Sequence, residues 1–220
     1  MGNSFKKNSN GRADEADRPR RTAKPATPER LEKAAYHYLE RFSTSADNLR
    51  RVLMRRVQNS AYLHDTDPQV GAEAIDKLIV RFLEAGLLDD AAYARTRAVS
   101  LHRQGKGTRA IRQTLSIKGV EADVIDGALD GLAEELGPSD PDAALIGRAE
   151  TDFAAAINYA RRRRLGPYRR KEREESREKD LAALGRQGFG YDTARRVIEA
   201  EDIESLEQEC DELLNPAPLP

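Results

Sequence analysis

The chain has 220 residues, with 37 Lys plus Arg against 38 Asp plus Glu, a net charge of −1, and 39% hydrophobic residues. With no Trp, 5% aromatics and one cysteine, Cys210, the composition excludes a disulfide framework and disfavours a thick β core. Its wealth of Ala, Leu, Arg and Glu favours helices with exposed charged flanks.

Residues 1–27 carry no apolar period and read as a disordered arm, made basic by Arg18, Arg20, Arg21 and Lys24. Thr27-Pro28 then sets a helix start, followed by Leu31, Ala34, Ala35, Tyr38, Leu39 and Phe42 on one face. Ser43 or Ser45 starts a second helix with Leu49, Val52, Leu53 and Val57. Residues 58–70 are polar up to Asp67-Pro68 and read as a loop, before a third helix with Ile75, Leu78, Ile79, Phe82 and Leu83 that stops at Gly86.

The next block opens at Asp89-Asp90, where acids complement a helix dipole, and continues through Tyr93, Ala94, Ala98 and Leu101. Gly105-Lys106-Gly107-Thr108 breaks it and caps a helix carrying Ile111 and Leu115. A further stripe, Val124, Ile125, Ala128, Leu129 and Leu132, ends at Gly137-Pro138. The last block starts near Pro141, with a long helix from Leu145 through Phe153, Ala156, Ile157 and Ala160 to Gly166-Pro167. Residues 171–187 form another helix, supported by Glu174–Arg177 and Glu175–Lys179 pairs, and Asp192 opens a helix with Ala194, Val197 and Ile198. Residues 201–220 read as an acidic tail that frays at Asn215-Pro216.

An internal repeat is visible. Leu115-x-x-Lys118-Gly119-Val120 and Leu184-x-x-Gln187-Gly188-Phe189 share the form Leu-x-x-polar-Gly-apolar, each followed by an apolar stripe at the same distances. Glycine suits the left-handed position that ends a helix. The first block is a weaker copy, since Leu53-x-x-Arg56-Val57 lacks the glycine. The expected fold is all-α: three tandem three-helix repeats (28–87, 88–137 and 138–200) in an elongated row whose curvature the sequence leaves open.

Leu83-Glu-Ala-Gly86-Leu87-Leu88-Asp89-Asp90-Ala-Ala-Tyr93-Ala94, then Gly105-Lys106-Gly107, then Ile111-Arg112-x-x-Leu115-x-x-Lys118-Gly119-Val120, resemble the central signature of the RecX family. Gly188-Phe189-Gly-Tyr191-Asp192 is similar to that family's late repeat. The resemblance spans roughly residues 29–200. It implies three three-helix repeats and a cytoplasmic regulator of recombination, DNA repair and the SOS response. Such a regulator binds the RecA filament on single-stranded DNA and lowers its ATPase, strand-exchange and co-protease activities. A monomer with no cofactor and no membrane partner is expected. The chain departs from the family pattern at Val57, in the 58–70 segment, and in its basic 161–173 segment with the acidic end.

Eight cations fall within thirteen positions: Arg161, Arg162, Arg163, Arg164, Arg169, Arg170, Lys171 and Arg173. Capping a helix C-terminus needs one or two, so the excess points to an anion: filament-bound DNA, an acidic recombinase groove, or the chain's own acidic end. Lys106, Arg109 and Arg112 add charge at a second helix start. The partner-binding candidates are therefore Lys106, Arg109, Arg112, Arg161 to Arg164, Arg169, Arg170 and Lys171.

Other chemistry finds no support. Gly105-Lys106-Gly107-Thr108 lacks the remainder of a phosphate-binding loop, Asp89 and Asp90 point apart on a helix, and His37, His64 and His102 have no zinc spacing. His102 suits a helix end, and Tyr38, Tyr93, Phe153 and Phe189 suit packing. Arg109 to Leu129 resembles a helix-turn-helix for direct DNA binding. Its second helix, however, carries Glu121, Asp123, Asp126 and Asp130 and no base-reading side chain. No nucleophile, base and orienting group converge, so an enzyme is not expected.

Overall fold

The computed structural model describes residues 24–136, with side chains as far as 132, and residues 147–214, and its regular elements are all helical. The predicted arm up to residue 23, the Gly137-Pro138 stop, Pro141, Leu145 and the Asn215-Pro216 end lie outside the described residues.

In the first group α1 (Pro28–Leu39), α2 (Ala46–His64) and α3 (Pro68–Glu84) close on a core of Leu31, Ala35, Leu49, Leu53, Val57, Ile75, Leu78, Phe82 and Leu88. Pro28 stands at the start of α1, and the Ser45 side chain accepts from the Asn48 amide to cap α2, which decides between the two serines. The loop expected over 58–70 is corrected: α2 continues to His64, and Asp65, at φ 52, ends it. With no glycine after Arg56 nothing stops the helix there, and the buried Ser60 hydroxyl takes bonds from the Ala26 amide (2.9 Å) and the Thr66 hydroxyl (2.9 Å). Lys24 to Thr27, counted with the arm from sequence, are thus placed beside α2.

The second group, α4 (Asp90–Arg103), α5 (Thr108–Ile117) and α6 (Ala122–Leu136), buries Tyr93, Ala94, Ala98, Leu101, Ile111, Leu115, Val120, Ile125, Ala128, Leu129 and Leu132. Asp89 caps α4 by accepting from the Ala92 amide at 2.8 Å. The third comprises α7 (Arg148–Arg163), a 3-10 turn (Gly166–Tyr168), α8 (Arg173–Arg186), α9 (Tyr191–Glu199) and α10 (Ile203–Leu214). Its core runs from Phe153 to Cys210.

Helix α10 corrects the expectation of nine helices followed by a charged tail. Ile203, Leu206, Cys210, Leu213 and Leu214 follow helical spacing, and Leu206 is 1% exposed. Burial also pushes the Cys210 thiol pKa up. Arg177 is likewise corrected: its carboxylate partner is Glu199 on α9, not Glu174 on its own helix.

The same joint is used twice between groups. At the first, the Ser45 hydroxyl donates to the Lys118 carbonyl and the Ala46 amide donates to Asp90 at 2.8 Å. At the second, the Gly107 amide donates to the Gln187 carbonyl at 2.9 Å and the Thr108 amide donates to Asp152 at 2.8 Å. In each case a helix start receives the carbonyl that precedes a repeat-motif glycine, plus an acid from the first helix of the next group. Gly119 (φ 75) and Gly188 (φ 91) are the glycines of that motif. A Cβ on Gly188 would lie 2.5 Å from the Ala110 nitrogen, so the close approach itself demands glycine.

Candidate cationic interface

The basic segment lies where α7 ends, crosses the 3-10 turn and enters α8, and folding divides its cations into two sets. Three hold the fold together. Arg169 donates two bonds of 2.8 Å to Asp180, whose carboxylate also accepts from the Gly166 amide at 2.9 Å. Burial works to raise the Asp180 carboxyl, but Arg169 and the amide together hold it below the usual carboxylate value. Arg161 donates to Glu207 of α10 at 2.8 Å and lies over the Tyr168 ring, while the Tyr168 hydroxyl donates to the same carboxylate at 3.0 Å. Arg173 reaches the carbonyls of Ile198, Ala200 and Glu201 (the last at 2.9 Å) where α9 ends.

The other set faces outward. Arg162, Arg163, Arg164, Arg170 and Lys171 are exposed and hold no carboxylate among the described residues. Arg164 ends α7 at φ 56, a left-handed position that turns the chain out of the helix. Arg162 packs over the Gly105 turn, beside Lys106. The joint between the second and third groups therefore sets Arg162 against the turn that carries Lys106, 56 positions earlier in sequence.

The helix-start candidates also divide. Arg112 pairs with Asp126, which also accepts from Arg148 at 2.8 Å, while Arg148 bonds Asp130 at 2.6 Å. The Arg112 hydrogen bond, reinforced by Arg148, lowers the Asp126 carboxyl to about 2. Two acids of α6 are thus occupied in tying α6 to α5 and α7, while the DNA-reading groups a helix-turn-helix would need remain absent from its sequence. Arg109 is exposed, near the start of α9.

Sequence reasoning missed the carboxylates that neutralise Arg112 and Arg169, because Asp126 and Asp180 meet them only through tertiary packing, whereas Arg161 finds Glu207 in the chain's acidic end, one of the three anions the sequence offers. His102 approaches the Thr151 carbonyl at 3.4 Å across the second joint, and burial depresses its pKa. Tyr93, Phe153 and Phe189 are buried as expected, and Tyr38 is half-buried against the first core. Among the described residues no group of His, Cys, Asp and Glu could hold a metal ion, and no helix is long and apolar enough to cross a membrane.

Residues 89–129 match the family description "RecX, second three-helix domain". The chain is 39% identical over 184 residues to regulatory protein RecX of Myxococcus xanthus (strain DK1622), covering 83% of this chain and 90% of that one. It is 32% identical over 177 residues to regulatory protein RecX of Agrobacterium fabrum (strain C58 / ATCC 33970), covering 77% and 84%. A crystal structure of regulatory protein RecX superposes with a TM-score of 0.54 at 21% identity, over 78% of this chain and 73% of that one, and so shares the fold.

Proposed function

This chain belongs to the RecX family of regulatory proteins, which are not enzymes, and from that premise we propose that it binds the RecA recombinase filament on single-stranded DNA and lowers its ATPase, strand-exchange and co-protease activities. The observation that carries the reading is the alignment with regulatory protein RecX of Myxococcus xanthus over 90% of that protein. The charge arrangement supports it. Arg162, Arg163, Arg164, Arg170 and Lys171 lie exposed and make no ion pair among the described residues, and a nucleoprotein filament is an anionic surface. The protein acts as a monomer, through contacts in the filament that include these cations, Lys106 and Arg109.

The test is DNA-stimulated ATP hydrolysis by purified RecA with increasing amounts of this protein. Inhibition is expected well below one protein per recombinase subunit. Full activity at equimolar protein refutes the reading.

A further inference from the structure

A second basic surface lies in the first helical group, away from the cationic segment. Lys24, Pro25, Ala26, Arg30, Leu31 and Lys33 form one wall of a groove of about 800 Å³, and Val52, Arg55, Arg56 and Asn59 of α2 form the other. Five cations line it and no carboxylate does. Among the described residues none of the five makes an ion pair, although other arginines of this group do: Arg50 with Asp76, Arg51 with Asp47 and Arg81 with Glu32. The Arg30 side chain donates to the Pro25 carbonyl, at 3.1 Å.

We propose that this α1–α2 groove binds the backbone of single-stranded nucleic acid, with Tyr62 as a stacking platform for a base at its end. The cations alone would suit any anion; Tyr62 favours a strand. At 89% exposure Tyr62 is the most exposed large apolar residue among the described residues, and Leu63 beside it is 52% exposed. At about 100° and 1.5 Å per residue, Tyr62 lies within roughly 20° of Arg55 around α2 and about 10 Å further along it. The groove face therefore runs on into an aromatic surface. Unpaired cations tracking phosphates, next to a bare ring, are the combination that holds single strands without reading sequence, since every base has a stacking face. An acidic peptide would use the cations and leave the ring without a role. A rigid duplex presents its phosphates but no free base.

The inference goes beyond inhibition of the recombinase and is tested without it. Fluorescence anisotropy of a labelled oligothymidylate is measured with the full chain at several salt concentrations. The wild-type protein binds, with a log–log salt dependence of affinity to which each phosphate contact contributes about −0.7. Arg55→Ala/Arg56→Ala weakens binding at least tenfold and flattens the slope by about 1.4. Tyr62→Ala weakens it about tenfold with the slope unchanged, and Tyr62→Phe restores it. Circular dichroism confirms that each variant folds. The groove assignment is overturned if the double variant binds as the wild type does, if duplex DNA binds equally well, or if a polyglutamate peptide outcompetes the oligonucleotide at equal charge. The ATPase assay is scored separately: inhibition retained with strand binding absent rejects the groove and leaves the recombinase reading standing, and the reverse result rejects only the latter.

Discussion

Replacing Arg169 with Ala removes one partner of a pair whose other member, Asp180, is 1% exposed. Breaking a buried ion pair from one side costs about 3–5 kcal/mol, because a charge is left without compensation. The Arg169 side chain is 29% exposed, so solvent already screens part of the attraction, and the expected loss is about 2–3 kcal/mol. The pH dependence fixes the cause. In the wild type the folded Asp180 pKa lies below the ordinary aspartate value of 3.8, so the ionised carboxylate contributes stability in full above that value and loses it as pH falls. Without Arg169, burial dominates and the folded pKa rises above 3.8, so ionisation now opposes folding at neutral pH and the penalty shrinks on acidification. Urea unfolding followed at 222 nm should show a wide gap between the two proteins at pH 7 that narrows below about pH 5. Asp180→Asn should cost less than Arg169→Ala, since an amide oxygen still accepts from Gly166 and the arginine can reach water. A loss under about 0.5 kcal/mol, or a gap that does not change with pH, would refute the pair's structural role and return Arg169 to the partner-binding set.

Gly188→Ala should destabilise by about 2–4 kcal/mol, combining a left-handed backbone with overpacking against Ala110, and should expose amides of both α5 and α8 to hydrogen exchange. Glu207→Ala should leave Arg161 unpaired, strengthen filament binding at low salt and lower the melting temperature slightly, since Tyr168 and Arg161 both lose their carboxylate; unchanged binding would show that α10 does not compete for the basic segment. Arg163→Ala/Arg164→Ala should weaken filament binding without loss of helicity, and Arg164→Gly should raise stability by about 1 kcal/mol by relieving its left-handed backbone. The Asp126 carboxyl should titrate near 2 by carbon NMR, so the bridge from α6 to α7 contributes above 3.8 and is lost as pH falls toward 2; a midpoint at the ordinary value would deny that bridge in solution.

The helices could be read wherever apolar spacing and a stop signal agree. Gly119 and Gly188 sit at positive φ where the repeat places them, Gly86 does so at the helix stop read there, and Asp89 caps α4 as its position suggests. Two errors came from weighing polarity over spacing. Residues 58–64 look like a loop because they are polar, yet Ser60 needs only two hydrogen-bonded neighbours to be buried inside a helix. Residues 203–214 look like a tail because they are acidic, although Leu206 and Cys210 already stand one turn apart. Asp90 stands in the first turn of α4 as its position suggests, and it also accepts from the first amide of α2 across the joint, which no local signal could reveal. The α1–α2 groove was missed for a related reason: its cations are spread over positions 24–56 and converge only when the helices pair.

The division of the basic segment follows from the way each cation is neutralised. Arg161, Arg169 and Arg173 reach a carboxylate or a helix end within their own helical group, and removing any of them alters the scaffold before it alters an interface. The exposed set gains no such compensation, and like charges so close together repel, so these residues cost stability unless an anion arrives. Charge alone cannot distinguish the sets; the melting temperature can. Variants that weaken filament binding while lowering the melting temperature report on the scaffold. Variants that weaken binding at unchanged or raised melting temperature mark the interface, and Arg162, Arg163, Arg170 and Lys171 should fall in that second class. If Arg169 and Arg161 fell there instead, the ion pairs seen at α8 and α10 would not be what holds the third helical group closed.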